Sequence, residues 1–391
     1  MTRSSFEWVD LIESLRTHAS VIERISTPAD PVLRQEAVQL LAMSIAQGYH
    51  MLFSHDREHP EFISFLNPVI KSAAPNPDYM YYHAAIEGNG DYRMTGLRGT
   101  SRFVHVSFVA GVVGEADQAG PSVGHFDLDK MTIAEDGAFD IRISSERPAG
   151  YGGDWVKLDT RVTGISIRQA SYDWIGEVDG RFAIERLDRN PAGRRWTALE
   201  IVDRLRQLAG FPARFLEPFL GFVAGLEKLP SNTLKLNDWA SIGGLAGQVY
   251  YEGRFEIAQD EVLLIETDVP KTARYWSILL ADLLFNTIDW VNCQSSLNGF
   301  QAQVDDDGRF RAVLSAQDPG VHNWLDPAGR LSGVIQGRWL ECSSAPLPSI
   351  TRLKLKDLRA RLPDTTRYVS TAEREAQLRR RHQGAQFRRK W

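Results

Sequence analysis

The sequence predicts an α+β protein: an antiparallel β-sandwich or jelly-roll-like core with an N-terminal helical hairpin, an inserted helical segment and short C-terminal helices. Three observations predict it. Apolar side chains recur at three- and four-residue spacing near the N-terminus. Short runs rich in β-branched and aromatic residues, punctuated by turn signals, fill most of the rest. One main helical stretch interrupts those runs, which argues for sheets packed on each other rather than a parallel sheet.

Residues 5–55 carry the helical spacing in Phe6, Val9, Ile12 and Leu15, then in Ala37, Leu40, Leu41, Ile45, Tyr49 and Leu52. Thr27-Pro28 and Asp30-Pro31 separate two helices, with Asp30 placed to cap the second and Pro31 at its first position. Strands are expected at 81–86, 92–95, 103–109, 139–143, 162–167, 182–184, 249–257, 261–266, 274–280 and 310–314. Helix is expected at 196–223, broken near Gly210-Phe211-Pro212, and again at 353–361 and 371–381. No repeat of solenoid or propeller period is present. The chain therefore divides into a helical region 1–75, a β-rich core 76–345 with a helical insertion near 196–227, and a helical, basic tail 346–391.

The chain has 391 residues, 43% hydrophobic and 24% charged, which excludes disorder, collagen and coiled coil. A chain of this length buries a core large enough to need neither disulfides nor a structural metal. Its net charge of −5 supplies no field for nucleic acid or an anionic membrane. Charge is uneven, though: from Glu373 to Trp391 six Arg and one Lys oppose two Glu, a tail of +5 that leaves about −10 on the remainder. That tail is either a solvated end or a means of docking on an acidic neighbouring subunit in a homo-oligomer. Cys293 and Cys342 cannot form a disulfide framework, and the N-terminus lacks an apolar stretch of signal-peptide length, so a cytoplasmic location is expected. The longest apolar run, 103–114, is too short for a bilayer.

Most reaction motifs fail on context. Gly120-Pro121-Ser122-Val123-Gly124 fits the nucleophile-elbow pattern by letter, but the next residues, from His125 to Ile133, alternate like a strand, so a surface turn is the better reading. His55-Asp56-Arg57-Glu58-His59 fits an inverted zinc-protease signature, with His55 and His59 as ligands and Glu58 as base. Pro60 ends any helix there, and the plainer alternative is a polar helix terminus. Neither a dinucleotide fingerprint nor a phosphate-binding loop is present, and Gly243-Gly244-Leu245-Ala246-Gly247 lacks the lysine of the latter, so no organic cofactor is expected.

Two stretches carry a family resemblance. One is Asn76-Pro77-Asp78-Tyr79-Met80-Tyr81-Tyr82 and the segment after it through Asp91, Tyr92 and Arg93. The other runs from Tyr275-Trp276-Ser277 through Asp289-Trp290-Val291-Asn292, Ser295-Ser296-Leu297-Asn298-Gly299 and Asp318-Pro319-Gly320-Val321-His322-Asn323-Trp324-Leu325-Asp326 to Gly337-Arg338-Trp339. Together they resemble the bacterial domain-of-unknown-function family 1214, often found beside a companion domain, 1254. The resemblance implies a β-rich, sandwich-like fold and a catabolic, small-molecule setting.

The same stretches suggest a site. Residues 275–339 hold four of the ten Trp with an isolated His and several Asn, Gln and Asp at loop-like positions. His322 is a natural general base near neutral pH, oriented by Asp289 or Asp326; its alternative is a histidine bonded to a backbone carbonyl. Tyr79, Tyr81 and Tyr82 beside Asp78 form a second cluster, in which Tyr79 and Tyr81 share a strand face with His83 while Tyr82 points away. A phenol there can donate to a developing oxyanion, or all three can simply be good strand formers. Tyr251, Trp276, Trp290, Asn292, Asn298, Asn323 and Trp324 are expected to line the pocket, and Arg338 to pair with a substrate carboxylate or with Asp326. The expectation is a cofactor-independent enzyme, a lyase acting on an aromatic or largely apolar catabolic substrate by acid/base chemistry. The alternatives are a carbohydrate- or small-molecule-binding sandwich and a zinc-dependent hydrolase.

Overall fold

The computed structural model describes residues 6–20, 31–54, 56–240, 244–245 and 247–388. It contains two β-sandwiches, with helices at the junction between them. Helix α1 (Trp8–Arg16) and helix α2 (Pro31–Phe53) precede the first sandwich. The proposed cap Asp30 and the Thr27-Pro28 break lie outside the described residues.

The first sandwich uses β1 (Ile63–Leu66), β2 (Tyr79–Ala85), β3 (Tyr92–Leu97), β4 (Phe103–Val109), β5 (Ser122–Asp127), β6 (Ala138–Ser144), β7 (Asp154–Lys157), β8 (Gly164–Ala170) and β9 (Arg181–Arg186). They form a five-stranded sheet β1-β2-β8-β4-β5 and a four-stranded sheet β7-β6-β3-β9, antiparallel except for β6 with β7. Alternation sets the faces: Met80, Tyr82 and Ala84 point into the sandwich core with Val104, Val106, Ile165 and Ile167. Tyr79, Tyr81 and His83 point out of it.

Helix α3 (Ala198–Glu227) then leads into the second sandwich. That one uses β10 (Lys235–Asn237), β11 (Gln248–Glu256), β12 (Glu261–Asp268), β13 (Ala273–Ala281), β14 (Ser296–Asn298), β15 (Arg309–Ser315), β16 (Trp324–Leu325), β17 (Ser332–Cys342) and β18 (Ser349–Lys354). Its sheets are β10-β11-β17-β13-β14 and β16-β15-β12-β18, antiparallel except for β15 with β16. Helix α4 (Thr371–Phe387) closes the described chain.

The expected β-rich core is thus two sandwiches of five and four strands, each with its own apolar interior. The expected helix over 353–361 is the end of β18 followed by a short 3-10 turn. Ser122 lies in β5, with no strand-to-helix elbow around it.

The expected break near Gly210 does not occur, since α3 runs through both Pro212 and Pro218. Each internal proline forfeits a helix hydrogen bond and costs roughly 3 kcal/mol in an exposed helix. Here Phe211, Pro212, Phe215 and Leu216 are buried, and burying each large side chain returns roughly 1.5–3 kcal/mol. A capping box of Thr197 and Glu200 secures the N-terminus of α3. Gly48 lets α2 cross α3 closely, because a Cβ there would lie 2.8 Å from the Phe211 ring.

The basic tail packs on its own chain rather than presenting all its charge to a neighbour. Arg374 bonds Asp318 and lies over Trp324; Arg381 donates to the carbonyls of Trp290 and Ser296; and Arg388 pairs with Asp179. Burial pushes Arg381 down to about 10. No helix among the described residues is long and apolar enough to cross a membrane.

Candidate functional site

The outer face of the first sandwich's five-stranded sheet meets the outer face of β11, β13 and β17, and α2 and α3 cover one side of the seam. Two arrangements result along it, one closed and one hollow.

The closed part centres on Asp78, at the start of β2. Its carboxylate accepts hydrogen bonds from the Trp174 indole at 2.8 Å, the Tyr275 phenol at 2.5 Å and the Asn298 amide at 2.7 Å. Asn76 donates to the Tyr275 oxygen at 2.6 Å. Burial raises the Asp78 carboxyl above its ordinary value, against the opposing pull of those donors. The network ties the first sandwich to the second, and among the described residues none of its buried side-chain polar atoms lacks a partner.

The hollow part is a cavity of about 170 Å³. Phe65, Phe215, Phe219, Phe285 and Val112 give it apolar walls, while Tyr81, His83, Arg168, Tyr250, Gln336 and Arg338 bring polar groups to it. His83 projects from β2 with its Nε2 at 3.4 Å from Oε1 of Glu115, an ion-pair distance longer than a tight hydrogen bond. Both side chains are largely buried. Opposite His83, Gly164 is required, since a Cβ there would stand 2.7 Å from the imidazole.

The phenols are oriented by their partners. Tyr81 accepts the Asn76 backbone N–H at 2.7 Å, and Tyr250 accepts the Gln248 amide at 2.5 Å, while Gln248 accepts the Tyr79 hydroxyl at 2.7 Å. Burial raises the Tyr81 phenol, and Arg338 pulls against that. Arg338 donates through Nη2 to Ala74 at 3.2 Å and to Gln336, and its guanidinium lies 5.2 Å from the Tyr250 ring centre.

Backbone strain gathers here. Among the described residues six non-glycine residues have positive φ, and three of them, Ala73, Ala74 and Phe285, line this cavity. Such conformations cost on the order of 1–3 kcal/mol each and persist where the surroundings enforce them, commonly at functional sites.

The structure redistributes the residues expected from sequence. Tyr81 and Arg338 line the cavity. Tyr79 stands behind it on the Gln248 oxygen, and Tyr82 faces the first sandwich's core. Asp78 and Asn298 belong to the closed network.

His322 is elsewhere, with Nε2 at 3.0 Å from the Gln301 carbonyl and Nδ1 at 3.2 Å from the Gln377 amide. Neither expected orienting carboxylate reaches it: Asp289 bonds Val291 and Asn292, and Asp326 bonds Ala328. The three tryptophans expected as walls fill three separate cores. Trp276 and Tyr251 are inside the second sandwich, Trp290 packs with Trp174 and Ala385, and Trp324 donates to the Ser315 carbonyl. Asn323 braces the carbonyls of Gln303 and Arg311, and Asn292 contacts His382. Arg338 is in no ion pair among the described residues, so the alternative pairing with Asp326 does not form.

The zinc alternative does not keep its helical spacing, because α2 ends at Phe53; His55 lies outside the described residues, while Asp56, Glu58 and His59 come together at ligand-like spacing. Glu58 is 3.4 Å from Arg194, and His59 is 3.0 Å from the Asn190 carbonyl. A second group with ligand-like spacing, His105, Asp127 and Glu341, already surrounds a cation, the Arg274 guanidinium, at 3.2, 2.5 and 3.2 Å.

Sequence reasoning missed Glu115 and Arg168. Arg168 carried a signal, an arginine amid the apolar alternation of β8. Glu115 carried none, since a loop brings it to His83.

A crystal structure of an uncharacterized protein from Burkholderia cenocepacia is similar to this one, with a TM-score of 0.84 and 28% identity over 89% of this chain and 97% of that chain. A protein from Vibrio parahaemolyticus aligns over 88% of this chain and 100% of that chain, at 12% identity and a TM-score of 0.48. No curated protein matches. Residues 253–334, which run from β11 into β17, match the family described as a protein of unknown function (DUF1214), and the chain resembles that family there.

Proposed function

We propose that the chain is a small-molecule enzyme of lyase type that works by acid/base chemistry on a largely apolar substrate in the cavity between the sandwiches. The observation that carries this reading is the His83–Glu115 pair, 3.4 Å apart, with His83 at a cavity that has aromatic and aliphatic walls and a few polar groups. A histidine is the group best suited to take and return a proton near neutral pH. Glu115 acts as a positioning residue, because a carboxylate 3.4 Å from Nε2 orients the ring within the site. The Tyr81 and Tyr250 phenols supply donors to an acidic oxygen of the substrate and so hold it in place beside His83. The apolar part of the wall lowers the local dielectric and strengthens each of these interactions.

The test compares the wild-type protein with His83→Gln. Each is incubated with a panel of single-ring hydroxy and carboxylic acids, and products are followed by mass spectrometry. The reading expects at least one conversion by the wild type that falls 100-fold or more in the variant while binding persists, within the range for general acid/base groups. Equal conversion by His83→Gln would remove the assignment. Saturable binding without product would favour a binding module.

A further inference from the structure

We infer that the cavity takes a carboxylate attached to a single ring or a body of similar size, held by Arg338 with the Tyr81 and Tyr250 hydroxyls. The inference rests on the cavity being the functional site and goes further by naming the chemistry of the ligand.

The argument starts from hydrogen-bond capacity. Arginine can only donate and a carboxylate can only accept. Arg338 spends Nη2 on Ala74 and Gln336, whereas its buried Nη1 has no partner. The residue is 4% exposed, so a partner for Nη1 must stand inside the cavity, and an unmade bond from a buried charged donor is costly. Gln336 is fixed in orientation: its oxygen accepts from Arg338, so its Nε2 donates to Glu252 at 2.5 Å. That carboxylate is in turn occupied by Asn237 and Trp239, both at 2.8 Å. Glu252 therefore reaches Arg338 only through an amide, and Nη1 remains.

The two phenols add to the surplus. Tyr81 and Tyr250 each receive a hydrogen bond on oxygen, from Asn76 and Gln248, and among the described residues neither hydroxyl donates one. Three donors thus line one cavity with their protons unspent. The ligand that answers them is an acceptor with several lone pairs and a negative charge, and a planar carboxylate suits the guanidinium fork. Size sets the rest of the molecule: a void of roughly 150 Å³ with apolar walls holds a benzene ring. A cavity of about 170 Å³ therefore suits one ring and its acid group, with Phe65, Phe215 and Phe219 against the ring.

Benzoate is the probe, and benzamide, which has its shape without its charge, is the control. Calorimetric titration of the full chain should give benzoate binding at least tenfold tighter than benzamide. Arg338→Met should bring benzoate down to the benzamide level, and Tyr250→Phe should weaken it several-fold. A far-ultraviolet spectrum checks that each variant is folded, and Arg338→Lys, which keeps the charge without the fork, gives an intermediate loss should Arg338→Met fail to fold. Equal affinities for the two probes, or no binding of either, would overturn the carboxylate assignment while conversions dependent on His83 could still stand. Benzoate binding unchanged when Val112→Phe fills the cavity would overturn the cavity reading itself.

Discussion

The two ends of the seam between the sandwiches are made from the same residue types and come to opposite states. Around Asp78, an indole, a phenol and an amide donate to one carboxylate, and every group is answered. A short distance along β2, Tyr81, Tyr250 and Arg338 face a hollow in which donors outnumber acceptors. The closed end supplies cohesion and the hollow end supplies recognition. Residue type does not separate a structural network from a site; the balance of donors against acceptors does.

The largest expected effect lies at the closed end. Asp78→Ala leaves the Trp174 and Tyr275 donors buried with no acceptor, at about 1–3 kcal/mol each, and leaves the Asn298 amide only the Tyr172 carbonyl. Urea unfolding should therefore show a loss of about 3 kcal/mol or more, and a loss below about 1 kcal/mol would mean that the seam is not held there. The hollow end should respond more weakly. Arg338 pairs with no carboxylate, so Arg338→Met removes a buried charge whose desolvation was never repaid by an ion pair. Ala74 and Gln336 each lose a hydrogen bond from it, which sets a cost against that relief, so the net loss of stability should stay well below that of Asp78→Ala. A loss matching that of Asp78→Ala would make both ends structural and erase the distinction.

Much of the fold was legible because it rests on local patterns. Alternation located strands such as Phe103–Val109, and it correctly placed Tyr79, Tyr81 and His83 on one face with Tyr82 on the other. The division into two sandwiches was not legible, because strand pairing such as β11 with β17 joins residues some eighty positions apart and leaves no local trace. The site was half legible for the same reason. Tyr81 and Arg338 were singled out, yet they meet only when the two sandwiches face each other. The loop of His322 is harder to read, because tryptophan, asparagine and histidine in a turn-rich segment look alike whether they bind a ligand or brace a loop; the structure sets His322 in the wall of a separate pocket with Gln377 and Arg381. Asn323, bonded to Gln303 and Arg311, shows that the loop is braced.

The smallest expected effect tests that bracing through protons. Burial holds the His322 imidazole below its ordinary value, with both ring nitrogens engaged by Gln301 and Gln377. The unfolded chain carries a histidine near 6.5, so in the window below that value the unfolded state binds the extra proton first. The stability contributed by neutral His322 is thus fully present above about pH 6.5 and is lost as pH falls from there toward the folded value. His105 is lowered by burial in the same way, so the wild type should melt at a lower temperature at pH 5.5 than at pH 7.5. In His322→Gln that drop should shrink without vanishing, because His105 still titrates. Benzoate binding at pH 7.5 should be unchanged, since His322 does not line the cavity between the sandwiches. A weakened benzoate affinity in this variant would join the two regions that the structure keeps apart, whereas an unchanged acid profile would mean that burial does not hold the ring neutral.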